Sequence, residues 1–225
     1  MSQQHRIAIL FFSRSVTSES RSKRLVSYQR SNQLLTGALI DQTKSMLEKL
    51  ELPVFHFSEA NQVGCSFGER LANAYQTVYD LGFEGVISIG NDAPGLLEMD
   101  FAPVINQLLA GHCVIGPTKR KGAYLIGLSR SSFDYQQFVK LPWQKRQLLE
   151  ALSNYCSSAT TFLPELRDLN TFQDLRKTVS ECTGWLYKIL KSIFRNQSVN
   201  DRIHLSINAL IAPTSRSLRA PPLLC

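Results

Sequence analysis

One short stretch, Gly85-Val-Ile-Ser-Ile-Gly-Asn-Asp-Ala-Pro-Gly-Leu-Leu97, constrains the fold more than any other part of the sequence. Its first residues are mostly apolar and are bounded by turn residues, which predicts a buried β-strand. Pro94 and Gly95 end the run, so Asp92 should lie just past the carboxyl end of that strand. Ligands bind at this edge in open α/β sheets. Two interpretations of Asp92 stay open from this stretch alone: a ligand-binding carboxylate, or a side chain that caps the next turn.

Strand-like and helix-like segments alternate over most of the chain. Short apolar runs predict strands at 6–12, 53–57, 85–89, 113–117 and 123–128, with an edge strand or loop over 162–171. Apolar residues at helical spacing and cap-like patterns predict helices at 31–50, 66–82, 101–110 and 142–155, and another from 171. This alternation predicts a three-layer α/β/α domain with a mostly parallel central sheet.

The residues after Lys177 follow a different pattern. The segment Gly184-Trp-Leu-Tyr-Lys-Ile-Leu-Lys-Ser-Ile-Phe-Arg195 carries its large apolar residues on one helical face and its cations on or beside the other. We therefore predict a domain of residues 1–177 and a C-terminal extension of residues 178–225 with an amphipathic basic helix. Such a helix packs against its own domain or against a second subunit, which would make a homo-oligomer. Contact with a membrane surface is a less favoured alternative.

The basic charge of the chain narrows the class of partner without choosing one. A formal net charge of +7 favours anionic ligands such as phosphates, nucleotides, nucleic acid or lipid headgroups. Aromatic residues are not interleaved with the basic ones, so the sequence does not favour a surface for single-stranded nucleic acid.

The start of the sequence, its lack of a long apolar run and its cysteines predict a cytoplasmic protein. The chain has no apolar run of about 18 residues, as a spanning helix needs. Its polar start leads straight into a strand, so no secretory signal is expected. The 5 cysteines are scattered without a Cys-x-x-Cys pair, which predicts neither a disulfide framework nor a zinc site.

A basic segment, Ser13 to Arg24, follows the first predicted strand directly. It contains Arg14, Arg21 and Lys23 but no glycine. A loop at this position can gather backbone N–H groups and cations around a phosphate. The alternative interpretation is a solvated, mobile loop.

Six separated pieces of the sequence together resemble one known family. They are Ile7 to Phe12 with the basic segment, Gln62-Val-Gly-Cys-Ser-Phe-Gly-Glu-Arg-Leu71, Ile89-Gly-Asn-Asp-Ala-Pro-Gly-Leu96, Gly116-Pro-Thr-Lys-Arg-Lys-Gly-Ala-Tyr-Leu-Ile-Gly-Leu128, Leu141-Pro-Trp143, and Leu166-Arg-Asp-Leu-Asn-Thr171 with Asp174-Leu175. In this order they resemble a bacterial glycosyltransferase-like family of unknown function in the nucleotide-diphospho-sugar transferase superfamily. Its members have a Rossmann-like, glycosyltransferase A-type fold and are related to molybdenum-cofactor guanylyltransferase-like proteins.

The resemblance implies where a site would lie. It places Asp92 and Asp168 as the catalytic carboxylates, and Asp92 with Asn170 as ligands of Mg²⁺ or Mn²⁺. It also implies a nucleotide or nucleotide-sugar ligand, with cations on its phosphates and Asn91 near its ribose. The full set of implied substrate-binding residues is Arg14, Arg24, Gly68, Arg70, Asn91, Lys119, Lys121 and Tyr124.

The sequence also departs from the family pattern at the implied metal site. Gly95 stands where the family has a second acid, and Lys119-Arg-Lys-Gly122 stands where it has an acidic pair before glycine. Two hypotheses follow. Either cations neutralise a diphosphate without a metal, since Arg and Lys can stabilise that charge, or the site has decayed and the protein is an inactive binding or scaffold module. Metal dependence and metal independence are equal alternatives at this point.

Overall fold

The computed structural model describes residues 6–156, 160–181 and 184–195, and its centre is a mixed six-stranded sheet. The strand order is β2-β1-β3-β5-β4-β6, and β5 alone in this sheet runs against the others. The strands are β1 Ile7–Phe12, β2 Val54–Phe57, β3 Gly85–Ile89, β4 Cys113–Pro117, β5 Ala123–Ser129 and β6 Thr160–Phe162. The predicted α/β fold with a mostly parallel sheet is confirmed.

Eight α-helices within the described residues connect and cover these strands. They are α1 Val16–Ser22, α2 Gln29–Glu48, α3 Phe67–Asp80, α4 Ala102–Leu109, α5 Tyr135–Val139, α6 Leu148–Cys156, α7 Phe172–Glu181 and α8 Trp185–Arg195. Two 3₁₀ helices, Pro94–Glu98 and Arg130–Ser132, follow β3 and β5.

The alternation of side chains along β1 divides the interior into two cores. Ala8 and Leu10 face a core that contains α3, α5 and α6, whereas Ile9 and Phe11 face a core that contains α2 and α4. Because successive strand residues point to opposite faces, an apolar run such as this one requires helices on both sides of the sheet. The result is the predicted three-layer arrangement.

The basic segment after β1 contains a helix, so the prediction of a loop there was wrong. Ser15 caps α1 by accepting a hydrogen bond from the Ser18 backbone N–H at 3.3 Å. The helix then buries Glu19 and Ser20 at the start of α2, where Asn32 Nδ2 donates to the carbonyl oxygen of Ser20 at 2.7 Å. Hydroxyl and β-branched residues have low helix propensity, so packing rather than local sequence stabilises this helix.

The predicted helix over 142–155 was wrong in its first half. Helix α6 begins at Leu148, since Gln144 has a left-handed backbone conformation with φ of 62°. A helix cannot continue through such a residue. The turn that replaces it places Trp143 against α3, and its indole Nε1 donates to the Phe138 carbonyl at 2.9 Å.

The basic helix predicted in the extension is confirmed, and it packs on the domain. Leu186 and Leu190 of α8 are buried in one cluster with Leu35 and Leu39 of α2. The predicted boundary after Lys177 falls inside α7, and residues 196–225 of the predicted extension lie outside the described residues. Assembly into a homo-oligomer through α8 stays a prediction. None of the described helices has the length and apolar character to cross a membrane.

Candidate functional site

A cleft of about 640 Å³ lies at the edge of the sheet where β1, β3 and β4 end and β5 begins. Its volume is within the range of about 300–1,000 Å³ found for small-molecule sites. Seven of the predicted site residues line it: Arg14, Arg70, Asn91, Asp92, Tyr124, Asp168 and Asn170. Residues from distant parts of the chain therefore converge at the edge predicted from Asp92.

Four predicted substrate-binding residues lie outside the lining that the described residues form. Arg24 is exposed, and its backbone pairs with Thr171. Gly68 is buried beneath the Trp143 indole. Lys121 is exposed and lies 4.0 Å from Glu165, whereas Lys119 follows the end of β4. Their roles in binding stay predictions.

Asp92 is held in an ion pair with Lys23, which the sequence had placed only in a general basic segment. Lys23 Nζ lies 2.9 Å from Asp92 Oδ2 and 2.9 Å from Glu19 Oε1. Burial alone would lower the pKa of Lys23, but the carboxylates of Asp92 and Glu19 outweigh it and raise that pKa above its ordinary value. The spacing of Glu19 and Lys23 by four residues is the one sequence signal for this cluster.

Asp168 and Asn170 lie together beside Asp92. Asn170 Nδ2 donates to Asp168 Oδ2 at 2.5 Å, and the Leu169 backbone N–H donates to the Asp92 carbonyl at 2.7 Å. Asp168 Oδ1 is buried and has no hydrogen-bond partner among the described residues. Burial, followed by the negative charge of Asp92, raises the pKa of Asp168. Asp168 is therefore a better proton acceptor than an ordinary aspartate.

Arg120, in the basic turn after β4, lines the cleft with its charge already paired. Its guanidinium donates to Asp174 Oδ2 at 2.6 Å. The same carboxylate accepts hydrogen bonds from the Thr171 backbone and hydroxyl at 2.9 and 2.7 Å. Burial would raise the pKa of Asp174, but the bonds from Arg120 and Thr171 hold it below its usual value. The link ties the turn to the start of α7.

An aromatic wall closes the side of the cleft next to α3. It consists of Phe12, Phe67 and Trp143, with ring centroids 5.6 Å apart for Phe12 and Phe67 and 5.5 Å apart for Phe67 and Trp143. Tyr124 lines the cleft as well, but its hydroxyl donates to the Pro164 carbonyl at 3.0 Å. Burial raises the pKa of Tyr124 to about 12, so the phenol stays protonated at neutral pH.

The residues present do not fit a divalent metal ion while Lys23 stays paired with Asp92. Within the part of the chain that the structure describes, no three His, Cys, Asp or Glu side chains are grouped so as to hold a metal. Mg²⁺ and Mn²⁺ need several oxygen ligands around one point, and here an ammonium group already occupies the space between Asp92 and Glu19.

Residues 37–145 match a family described as an uncharacterized protein conserved in bacteria (DUF2064). The match spans slightly less than half of the chain. This match supports the resemblance to a bacterial family of unknown function that the sequence motifs indicated. No curated protein matches the sequence.

Solved structures show the same fold. A candidate nucleotide-diphospho-sugar transferase from Desulfovibrio desulfuricans G20 is 21% identical and has a TM-score of 0.71. The match covers 87% of this chain and 99% of that chain. The predicted glycosyltransferase A-type fold is therefore confirmed.

More distant structures match the chain over similar lengths. A glycosyltransferase that acts in glycosylation of the major capsid of PBCV-1 is 10% identical, with a TM-score of 0.45 over 82% of this chain and 99% of that chain. Rv0371C from Mycobacterium tuberculosis H37Rv, solved as a complex with manganese, is 14% identical, with a TM-score of 0.43 over 78% of this chain and 99% of that chain. Neither is similar enough for a comparison of individual site residues.

Proposed function

We propose that this glycosyltransferase-like protein binds a nucleotide or nucleotide sugar in the cleft and transfers its glycosyl or nucleotidyl group without a divalent metal. The observation that carries the proposal is that one cleft is lined both by aromatic rings and by more cations than carboxylates. A nucleotide presents a flat ring and an anionic phosphate chain, and this lining offers a suitable contact to each.

The charges of the lining favour an anionic ligand. The lining that the structure describes contains five cationic side chains and three carboxylates. The cations are Arg14, Lys23, Arg70, Arg120 and Lys145, and the carboxylates are Glu19, Asp92 and Asp168. A cleft with an excess of one sign of charge concentrates ligands of the opposite sign. We assign phosphate contacts to Arg14 and Arg70, which come from the ends of β1 and α3.

The aromatic wall suits the base of a nucleotide. Stacking of a base on an aromatic side chain contributes about 1–3 kcal/mol. Trp143 is held in place for such a contact, since its Nε1 donates a hydrogen bond to the Phe138 carbonyl and its ring packs on Phe67. Asn91, which lines the same cleft, is the residue we assign to the ribose.

Asp168 is our candidate for the proton acceptor in transfer. It would take the proton of an acceptor hydroxyl while the oxygen of that hydroxyl bonds to the transferred group. The phosphate leaving group departs with the electron pair of the broken bond. Its raised pKa suits this role. Asp92 is less suited, because Lys23 already neutralises it.

Calorimetric titration with UDP- and GDP-sugars, each with and without Mg²⁺ or Mn²⁺, tests the proposal. We expect binding of at least one nucleotide in the presence of EDTA, and a loss of roughly tenfold or more in Arg70→Met, since a charge-assisted hydrogen bond contributes about 1.5–3 kcal/mol. Arg146→Met is the matched control, because Arg146 is an exposed cation outside the lining. Absence of binding to every nucleotide under all conditions contradicts the proposal.

A binding module without turnover is the second candidate function. The Lys23–Asp92 ion pair favours it, because that pair neutralises one of the two predicted catalytic carboxylates. Release of nucleoside diphosphate or of pyrophosphate during incubation with a bound donor distinguishes the two functions. Binding without any release of product under saturating donor would favour the module.

A further inference from the structure

Lys23 is an enclosed cation in the lining of the cleft, and its two partners lie on different elements. Its side chain is 19% exposed, and the side chains of its partners Glu19 and Asp92 are 9% and 32% exposed. Glu19 belongs to α1, whereas Asp92 follows β3, so one ammonium group joins the helix to the end of the central strand.

Hydrogen bonds on both sides fix the backbone from which the Lys23 side chain extends. The Lys23 N–H donates to the Glu19 carbonyl at 2.9 Å and ends α1. Asn32 Nδ2 donates to the Lys23 carbonyl at 2.7 Å, and Asn32 Oδ1 accepts from the Leu25 N–H at 2.9 Å. Asn32 is fully buried in α2. The backbone of Lys23 is therefore fixed, and the ion pairs to Glu19 and Asp92 place its ammonium group.

An ammonium group at this point competes directly with a divalent cation. Asp92 and Glu19 would have to release Lys23 before their oxygens could ligate a metal, and the displaced cation would stay close to it. A lysine ammonium also has three donors. In the contacts that the structure describes, two of these donors go to Glu19 and Asp92. The third N–H is left for a ligand in the cleft.

We infer that Lys23 is the permanent internal cation of this cleft, that it excludes divalent metal ions from Asp92 and Glu19, and that it donates its remaining N–H to a bound phosphate. The last part rests on the proposed nucleotide site. The exclusion of metal does not, because it follows from the ion pairs alone.

Titration with Mn²⁺ alone tests the exclusion. Binding is measured as the loss of the free-ion signal in electron paramagnetic resonance. Wild type should show no binding up to about 1 mM, the weak end of the range for oxygen-ligated divalent ions. Lys23→Met should gain a site that binds at least tenfold more tightly than any site of wild type. The matched control is Lys145→Met, which also removes one cation from the lining but lies on the exposed turn before α6.

Each outcome of these titrations either supports the inference or overturns it. Gain of a site in Lys23→Met but not in Lys145→Met supports the inference, whereas equal Mn²⁺ binding by wild type and Lys23→Met overturns it. If Lys23→Met does not fold, Lys23→Gln replaces it, because glutamine removes the charge and keeps a hydrogen-bond donor. Binding of Mn²⁺ by wild type below about 1 mM overturns the inference without any variant.

These titrations contain no nucleotide, so they distinguish failure of this inference from failure of the proposed function. A protein that binds no nucleotide can still gain a metal site in Lys23→Met. Conversely, nucleotide binding that requires Mn²⁺ would support the proposed substrate class and contradict the role of Lys23 as the internal cation.

Discussion

Replacement of Gly68 by alanine should destabilise the protein, although alanine is the better helix former. Gly68 lies in the first turn of α3. A Cβ atom added there would lie 2.5 Å from Trp143 Cδ1 and 2.7 Å from the Val139 carbonyl oxygen, whereas ordinary contact begins at 3.4 Å. The indole would have to shift by about 1 Å, and the Val139 carbonyl belongs to the backbone, so it cannot rotate away as a side chain does.

The expected loss follows from that overlap. Overpacking of a filled site costs about 1–3 kcal/mol, and the gain in helix propensity from glycine to alanine, up to about 1 kcal/mol, offsets part of it. A net loss of about 1–2 kcal/mol should lower Tm by roughly 2–8 °C in a chain of this size. Because Trp143 forms part of the aromatic wall, the substitution should also lower the affinity for nucleotide.

Gly37→Ala is the matched control, since it makes the same chemical change in the interior of α2. An added Cβ there meets Val16 at an ordinary 3.6 Å. It should raise stability by about 0.5–1 kcal/mol, the usual helix preference for alanine. Differential scanning calorimetry of the two variants should give shifts of opposite sign. An increase in Tm for Gly68→Ala equal to that for Gly37→Ala would refute the reasoning.

Two further predictions concern the carboxylate beside Asp92 and the C-terminal helix. Asp168→Asn should raise Tm at pH 7, because the raised pKa of Asp168 means that its ionisation opposes folding, with the full cost present once the pH exceeds the folded-state value. The difference from wild type should shrink as the pH falls from the folded-state pKa towards 3.8 and level off below 3.8, where the carboxyl is protonated in both states, and a constant difference across pH 3–7 would contradict the assigned cause. Leu190→Ala should cost about 2–5 kcal/mol in unfolding free energy, as for other buried leucines, because α2 covers this side chain within the same chain. Light scattering should give the same mass for Leu190→Ala and wild type, and a lower mass for the variant would instead indicate that α8 joins two subunits.

Much of the fold was predictable because it depends on local spacing. The apolar run of β3 ends where turn residues begin, so its sequence alone placed Asp92 at the carboxyl edge. The capping box of Ser66 and Glu69 fixed the start of α3, since both hydrogen bonds join residues three apart. The helix α8 was equally visible from its periodicity.

The candidate site was predictable only in part, because its decisive contacts join residues that are far apart in the chain. Lys23 and Asp92 are separated by 69 residues and Arg120 and Asp174 by 54. No local pattern indicates which carboxylate a given cation will meet. The sequence therefore located the carboxylate and the positive charge, whereas the tertiary structure decided that Lys23 neutralises Asp92, since only the packing of α1 on α2 brings that ammonium to the end of β3.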